Sequence, residues 1–400
     1  MGERVWNSVF IVILFSLAFA YFCSKSLTPF YWIEEGSHEN IHHLEMQATV
    51  CNGTGEGNSS RSIAKKMKSN SHCNWFQGTW VFDDSYPLYD SISCPFIRKV
   101  FHCIRFGRPD RQYLKYRWQP HGCELPKFDG RDFLSRMRGK KIMYIGDSLS
   151  LNNFESLLCL LHGTVPGVKY KEEFTALNVT VTFLVSLLYS FWFFWYEVEV
   201  ILYHSEFLVD IENRVAKMNS FKSGEIWKQM DVLIFNSGLW WMRKGPKQPW
   251  DFIEQVDGRV VKDMSRYGAY EMALQSWAKW VERDVDHTKT QVFYQSEAAV
   301  HYIGAEWGKP TVTNCENETT LLNETSISTA PSPITNITRT IVRQISNHVY
   351  LLDIWTLTRY RIDAHPAGYN PFKGDCTHWC LAGVPDTWNI ILNAALLQRS

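Results

Sequence analysis

The chain beyond Gly139 alternates short apolar runs with segments whose apolar residues recur every three or four positions. The apolar runs predict buried strands at Lys140–Ile145, Asp231–Asn236, Gln291–Tyr294 and Tyr350–Ile354. The periodic segments predict helices at Leu149–Leu161, at Tyr267–Val281 and from Pro385 through Leu397. Because strands separated by helices are typical of a parallel sheet, an α/β domain with a mostly parallel central sheet is expected over residues 129–400.

Two segments interrupt this alternation. Leu177–Tyr196 carries no charged side chain and is long enough to cross a bilayer as a helix. β-branched and aromatic residues dominate it, however, and Glu197–Val200 then alternates polar with apolar, which favours a pair of buried strands over a second membrane span. Residues 314–340 are rich in Thr, Asn, Ser and Pro and predict a glycosylated surface loop.

The first 128 residues divide into three parts by composition. Val5–Ser24 carries no charged side chain, so residues 1–24 are predicted to form a transmembrane signal anchor with a short cytoplasmic tail. A signal peptide cleaved near Ala20 is the alternative. Residues 25–72 are polar and lack periodicity, as in a flexible lumenal stalk. Residues 73–128 are dense in Cys, Trp, Tyr, Pro and Gly and predict a small module held by disulfides.

Cysteines and glycosylation sequons indicate the compartment. The cysteines expected in disulfides are Cys73, Cys94, Cys103, Cys123, Cys159, Cys315, Cys376 and Cys380, whereas Cys51 is expected to stay free or to pair between chains. The candidate glycosylation sites are Asn52, Asn58, Asn178, Asn317, Asn323 and Asn336. Both features favour an oxidising, glycosylating lumen, and the sequence leaves the disulfide pairing open.

Charge and composition exclude two classes of protein. Lys plus Arg equals Asp plus Glu at 41 each, and no basic stripe is interleaved with aromatic residues, so a nucleic-acid partner is not expected. The 24 Phe, 18 Tyr and 17 Trp residues fill a large core and exclude disorder as a global description.

Two motifs far apart in the sequence carry the candidate chemistry. Gly146-Asp147-Ser148 lies where the first predicted strand ends and a helix begins, a turn that exposes the Ser148 hydroxyl beside helix N-terminal N–H groups. Asp375 precedes His378 by three residues near the C-terminus. A serine nucleophile needs a base, and a carboxylate orients that base, so Ser148, His378 and Asp375 are predicted to form a catalytic triad. The Ser148 N–H, with Asn236 and Gly238 after the second strand, is the candidate oxyanion hole.

Simpler interpretations exist for some of these residues. Ser148 alone is explained equally well as a helix N-cap. Cys376, His378 and Cys380 have the types of zinc ligands, but no second tight Cys or His cluster accompanies them, and no metal site is predicted. The remaining candidate histidines, His204, His301 and His365, are interpreted as surface or loop residues.

Longer motifs carry a family resemblance from Cys73 to the C-terminus. They are Cys73–Val81, Tyr86–Tyr89, Cys94–Phe96, Gly107–Asp110, Tyr113–Pro120, Gly146–Ser150, Asp375–Cys380 and Gly383–Asn389. In this order they resemble the plant trichome birefringence-like (TBL) family. The resemblance implies a TBL N-terminal module at 73–128 and, at 129–400, a PC-esterase catalytic domain with an SGNH-hydrolase-like three-layer α/β/α fold. It also places the triad on Ser148, Asp375 and His378. The chain departs from the family pattern at Ser296–His301, where relatives usually carry Ser-Pro-x-His, and in the aromatic run Phe183–Tyr196.

The resemblance further implies a Golgi O-acetyltransferase, a single-pass type II membrane protein with a lumenal catalytic domain. Such an enzyme transfers acetyl groups to hydroxyls of xylan, mannan or pectin through an acyl-serine intermediate. Its expected partners are the cell-wall polysaccharide acceptor, the membrane that holds its N-terminal helix, and an acetyl donor or a donor-supplying membrane protein. No bound cofactor is expected. An acetylesterase of the same fold and a non-catalytic glycan-binding wall protein are the alternatives.

Overall fold

The elements of the chain are described for residues 73–189, 192–323, 327 and 330–399 in a computed structural model. The strands are β1 (Gly78–Phe82), β2 (Tyr116–Pro120), β3 (Lys141–Gly146), β4 (Lys169–Phe174), β5 (Asn178–Tyr189), β6 (Trp192–His204), β7 (Asp210–Glu212), β8 (Val215–Lys217), β9 (Val232–Phe235), β10 (Phe252–Glu254), β11 (Val260–Val261), β12 (Gln291–Gln295) and β13 (Val349–Leu352). The α-helices are α1 (Gly130–Arg136), α2 (Ser148–Thr164), α3 (Gly224–Trp227), α4 (Arg266–Asp284), α5 (Pro333–Gln344), α6 (Trp355–Arg359) and α7 (Val384–Arg399). The predicted anchor (1–24) and stalk (25–72), with Cys51, Asn52 and Asn58, lie outside these residues.

A seven-stranded sheet in the order β13-β12-β9-β3-β6-β5-β4 separates two hydrophobic cores. The strands from β13 to β6 are parallel, and β5 and β4 extend the sheet antiparallel at one edge. Along β3, Ile142 and Tyr144 point into the core with α1, α2 and α7, whereas Met143 and Ile145 point into the core with α4 and α5. The predicted α/β/α layers with a mostly parallel sheet are confirmed.

The predicted elements of this domain appear with small shifts of their ends. The four predicted strands are β3, β9, β12 and β13, and the three predicted helices are α2, α4 and α7. A smaller sheet in the order β11-β10-β8-β7, which the pattern did not indicate, is built from strands of two or three residues. Runs this short contain too few residues for a period of two to be recognised.

Most of the uncharged segment Leu177–Tyr196 lies in two paired strands, β5 and β6. These strands pair antiparallel, from Asn178 opposite Tyr203 to Tyr189 opposite Trp192. Strand formation is therefore confirmed, and the alternative of a second membrane span is wrong. Among the helices of the described residues, none is both long enough and apolar enough to cross a bilayer.

The predicted surface loop at 314–340 ends earlier than expected, because α5 begins at Pro333. Ser332 caps this helix by accepting the Thr335 N–H at 3.0 Å, and proline is tolerated in the first turn. Thr335 and Thr338 are buried, so one face of this helix packs against the domain. The polar composition of the segment had predicted a loop instead. Of the sequons in the described residues, Asn178 is half-buried, and Asn317, Asn323 and Asn336 are exposed.

Disulfides join the N-terminal segment to the α/β domain. The structure selects one pairing of the eight cysteines: Cys73–Cys123, Cys94–Cys159, Cys103–Cys380 and Cys315–Cys376. The first pair lies within residues 73–128, next to the antiparallel β1–β2 pair. The second reaches α2, and the third reaches the segment just before α7. The zinc alternative for Cys376 and Cys380 is wrong, since both sulfurs are in disulfides.

Candidate active site

A sharp turn at the carboxyl end of β3 presents Ser148. Gly146 has a φ of 157°, and a Cβ at this position would lie 2.3 Å from the Asn236 carbonyl oxygen, so only glycine fits. Asp147 caps α2 by accepting the Leu149 N–H at 2.9 Å. Burial raises the pKa of the Asp147 carboxyl to about 6. Ser148 is the first residue of α2, so its backbone N–H has no partner within the helix.

Asp375 and His378 lie in the segment that we call the catalytic loop, Asp375–Cys380, between β13 and α7. The Asp375 Oδ1 atom accepts the backbone N–H groups of Thr377 and His378, each at 3.1 Å. Its Oδ2 atom lies 2.8 Å from His378 Nδ1 and also accepts from the Asn370 amide at 3.1 Å. The carboxylate therefore shapes the turn and orients the imidazole at the same time.

The two motifs meet at the serine hydroxyl. His378 Nε2 lies 2.7 Å from Ser148 Oγ, although the residues are 230 positions apart in the sequence. Because the ionised carboxylate of Asp375 can only accept, Nδ1 carries the ring proton and Nε2 accepts from the hydroxyl. Burial alone raises the pKa of Asp375, but the hydrogen bonds and charge of His378 and the backbone N–H groups outweigh it and hold this pKa at about 2.

A cleft of about 260 Å³ opens in front of this hydrogen-bonded chain. Its lining comprises Asp147, Ser148, Leu239, Trp240, Arg243, Tyr302, Phe372, Lys373, Gly374, Asp375, Thr377 and His378. The Tyr302 hydroxyl accepts the Cys376 N–H at 3.1 Å and lies 3.1 Å from Thr377 Oγ1, which fixes one wall to the catalytic loop. Aromatic surfaces of Trp240 and Phe372 and the cationic groups of Arg243 and Lys373 complete a site suited to a polar substrate with apolar faces.

The predicted oxyanion donors Asn236 and Gly238 are not among the residues that line the cleft. The Asn236 side-chain amide is buried and donates to the backbone carbonyl oxygens of Gln295 and Ser296, at 3.2 and 3.5 Å. A Cβ on Gly238 would lie 2.8 Å from Ile334, so this glycine allows close packing of α5. Both residues therefore make packing contacts in this structure, and Ser148 is the one of the three predicted oxyanion residues that lines the cleft.

The three remaining histidines were predicted to be surface or loop residues, and two of them lie in loops but are buried. His301 and His365 are 0% and 1% exposed, directly behind the catalytic loop. His204 is exposed, as expected, and lies 2.9 Å from Glu206. A single histidine in a mixed-polarity segment carries no periodic signal, so burial of His301 and His365 follows only from the tertiary packing.

The N-terminal segment also supports the catalytic loop, which the motifs did not indicate. The Phe101 ring packs against the His378 ring with centroids 5.5 Å apart, and the Phe101 carbonyl accepts the Leu381 N–H at 3.0 Å. Arg108 donates to the His365 carbonyl at 2.9 Å. Together with the Cys103–Cys380 disulfide, these contacts fix the side of the loop opposite to the cleft.

Comparison with known proteins identifies relatives over most of the chain. The family model described as PC-esterase, a GDSL/SGNH-like acyl-esterase family found in Pmr5 and Cas1p, matches residues 125–395. The PMR5 N-terminal domain matches residues 71–124. Protein trichome birefringence-like 38 of Arabidopsis thaliana is 45% identical over 86% of this chain and 89% of its own length. Protein trichome birefringence-like 39 from the same plant is 42% identical over 85% of this chain and 91% of its own length. This chain therefore belongs to the trichome birefringence-like family and carries its PC-esterase domain.

Proposed function

We propose that this protein is an O-acetyltransferase that moves an acetyl group from a donor to a hydroxyl of a cell-wall polysaccharide. The observation that carries the proposal is the continuous hydrogen-bonded chain from Ser148 through His378 to Asp375 in an open cleft. Membership in an acyl-esterase family supports acyl groups as the transferred unit. Xylan, mannan and pectin are the candidate acceptors.

The first half-reaction acetylates the enzyme. His378 Nε2 takes the Ser148 hydroxyl proton as Oγ attacks the acetyl carbonyl carbon of the donor, and Asp375 stabilises the imidazolium. The tetrahedral intermediate collapses when the bond to the donor's leaving group breaks and that group takes the proton from Nε2. In this proposal the oxyanion is stabilised by the Ser148 N–H at the start of α2 and by the guanidinium of Arg243, which lines the cleft.

The second half-reaction transfers the acetyl group. A sugar hydroxyl gives its proton to His378 Nε2 and attacks the carbonyl carbon of the acetyl-serine. The bond to Ser148 Oγ then breaks, and Oγ recovers a proton from the imidazolium. General acid–base assistance of this kind contributes roughly 10²–10⁴-fold to each step.

Water in place of the sugar makes the same site an acetylesterase, the second candidate function. The description of the family as acyl-esterases favours this alternative, as does the 23% exposure of the His378 side chain. Sugar rings stacked on Trp240 and Phe372 would exclude water and favour transfer. The two functions therefore use the same catalytic groups and differ in whether a sugar hydroxyl or water occupies the acceptor position.

We place this activity in the Golgi lumen, with residues 1–24 as a type II membrane anchor. Four disulfides and exposed sequon asparagines support an oxidising, glycosylating compartment. The acetyl donor, whether a free molecule or one supplied by a membrane partner, is a substrate, and the mechanism requires no bound cofactor.

The test uses the full-length protein in detergent with labelled p-nitrophenyl acetate as donor and deacetylated xylan, mannan or pectin as acceptor. Label on the polymer, with label on the Ser148 peptide in a quenched sample, is the expected result. Release of label only as acetate identifies the esterase. A Ser148→Ala variant that still labels the polymer, while Ser135→Ala on the exposed surface of α1 behaves like wild type, contradicts the mechanism. If the protein binds the polymer but neither adds nor removes acetyl groups, the result supports the alternative of a non-catalytic glycan-binding protein.

A further inference from the structure

Two buried histidines form a second hydrogen-bonded chain behind the catalytic loop. His365 Nδ1 lies 2.7 Å from the backbone carbonyl oxygen of His378. His365 Nε2 lies 2.7 Å from His301 Nδ1, and His301 Nε2 lies 3.0 Å from the Arg359 carbonyl oxygen. The proposed mechanism gives neither ring a role, yet the chain ends on the main chain of the catalytic base.

The acceptors at the two ends of this chain, both carbonyl oxygens, limit where the ring protons can lie. A carbonyl oxygen only accepts, so a bond to His378 requires a proton on His365 Nδ1. In a neutral His365 the Nε2 atom is then an acceptor, and His301 must donate to it from Nδ1. Two neutral rings supply two protons for three contacts. Protons on the two 2.7 Å contacts leave the 3.0 Å contact with Arg359 without one, whereas protons on the Arg359 contact and between the rings would leave the His378 contact without one. The shorter contacts favour the first arrangement.

The surroundings keep both rings neutral and immobile. Burial lowers the pKa of His301 well below its usual value and that of His365 to about 4. The charged or titratable groups that face the pair are Arg108 from the N-terminal segment, Arg359 from α6, and Asp375 and His378 from the catalytic loop. Glu306 neutralises Arg359 at 2.7 Å. The His365 ring also stacks on Trp379, with centroids 4.1 Å apart.

We propose that His365 is a positioning residue for acyl transfer, which holds the main chain of His378 through an Nδ1–H donor while His301 fixes the tautomer of His365. The His301 backbone N–H adds a second link by donating to the Cys376 carbonyl at 3.0 Å. The loop is thus held by hydrogen bonds on both sides of Thr377, and His378 Nε2 stays within reach of Ser148. This inference rests on the proposed acyl transfer at Ser148.

The test compares variants that keep or remove this donor. His365→Leu removes it and leaves the His378 carbonyl buried without a partner, whereas the side-chain amide of His365→Asn occupies nearly the position of Nδ1. Displacement of a catalytic group by about 1 Å costs up to roughly 10²-fold in rate. We therefore expect His365→Leu to lower kcat for p-nitrophenyl acetate about 10–100-fold with KM unchanged, and His365→Asn to restore most of that loss.

Controls separate positioning from folding and from the proposed function. His348→Leu makes the same change in the His287–His348 ring contact, which lies on other elements, and should leave kcat unchanged. Nitrogen-15 NMR of histidine-labelled full-length protein should show the Nδ1–H tautomer for His365, which tests the proposal even if His365→Leu does not fold. A folded His365→Leu enzyme with wild-type kcat, His365→Asn as impaired as His365→Leu, or an Nε2–H tautomer at His365 overturns the inference. If Ser148 is never acetylated in the wild type, the proposed function fails instead.

Discussion

The two sides of the catalytic loop differ in polarity and in what holds them. On the cleft side, Asp375 and His378 are partly exposed and connect to Ser148 through groups that exchange or share protons. On the opposite side, a disulfide, an aromatic ring and a buried neutral histidine hold the backbone. The contrast teaches that the groups able to exchange protons lie on one face of the loop, while the groups on the other face are buried and hold the backbone in place.

The largest effect is expected on the cleft side. Ser148→Ala removes the nucleophile, and loss of a triad serine lowers kcat by about 10⁶-fold in a well-studied hydrolase. Mass spectrometry should find no acetylated peptide in the variant, and circular dichroism should show an unchanged fold. Residual acetylation at another residue would show that the chemistry does not depend on the cleft side of the loop.

The next effect concerns the orienting carboxylate. Asp375→Asn places an amide beside His378 Nδ1 and allows the wrong ring tautomer, so kcat should fall about 10⁴-fold with less change in KM. The measurement is steady-state hydrolysis of p-nitrophenyl acetate. Asp90→Asn, at an exposed loop residue, is the matched control. A loss of less than tenfold would mean that Asp375 does not set the tautomer of His378.

On the opposite side we expect stability to change more than chemistry. The double variant Cys103→Ser/Cys380→Ser removes a cross-link between residues 277 positions apart and should lower the free energy of unfolding by about 2–5 kcal/mol. Urea denaturation with an intact Cys94–Cys159 pair measures this. If kcat falls as far as in Asp375→Asn while stability is unchanged, the proposed division between the two sides is wrong.

The smallest expected effect is a change in how stability depends on pH, and it comes from the buried residue Asp386. Asp386 accepts from Tyr89 at 2.9 Å and from Ser156 at 2.6 Å, and burial raises its pKa to about 6. A raised pKa in the folded state means that its contribution to stability is full below about pH 4 and is lost as the pH rises through about 6. Between pH 4 and 7, the free energy of unfolding of the wild type should therefore fall by about 1–3 kcal/mol more than that of Asp386→Asn.

The contribution of Asp375 to stability should depend on pH in the opposite direction, and the same experiment can measure it. Its pKa is held at about 2, so its contribution is present above the unfolded value near 4 and is lost only as the pH falls toward 2. Asp375→Asn should therefore flatten the stability curve below pH 4 and leave it unaltered between pH 4 and 7. Chemical denaturation at several pH values distinguishes the two aspartates.

The sequence predicted the cleft side well because its signals are local. A glycine turn after an apolar strand and an Asp three residues before a His are each readable over a few positions, and Ser148, Asp375 and His378 meet as expected. The sheet was predictable for the same reason, since continuous apolar runs indicate strands buried on both faces.

The opposite side could not be predicted, since it depends on long-range pairing. Nothing near Cys103 selects Cys380 among the other cysteines, and nothing near His365 selects His301. The surroundings of Asn236 could not be predicted for a related reason. A residue that follows a strand was assigned to the cleft by its position, whereas the packing of β12 turns its amide toward Gln295.

The Cys103–Cys380 cross-link has a consequence for synthesis. Cys380 leaves the ribosome 277 residues after Cys103, and the Cys94 and Cys159 thiols become available to each other in the interval. Cys103 must therefore remain reduced, or be released from wrong partners by thiol exchange, until its own partner emerges. Formation of this cross-link, and with it the stability that it gives to the loop, therefore depends on correct thiol–disulfide exchange after the last cysteine is made.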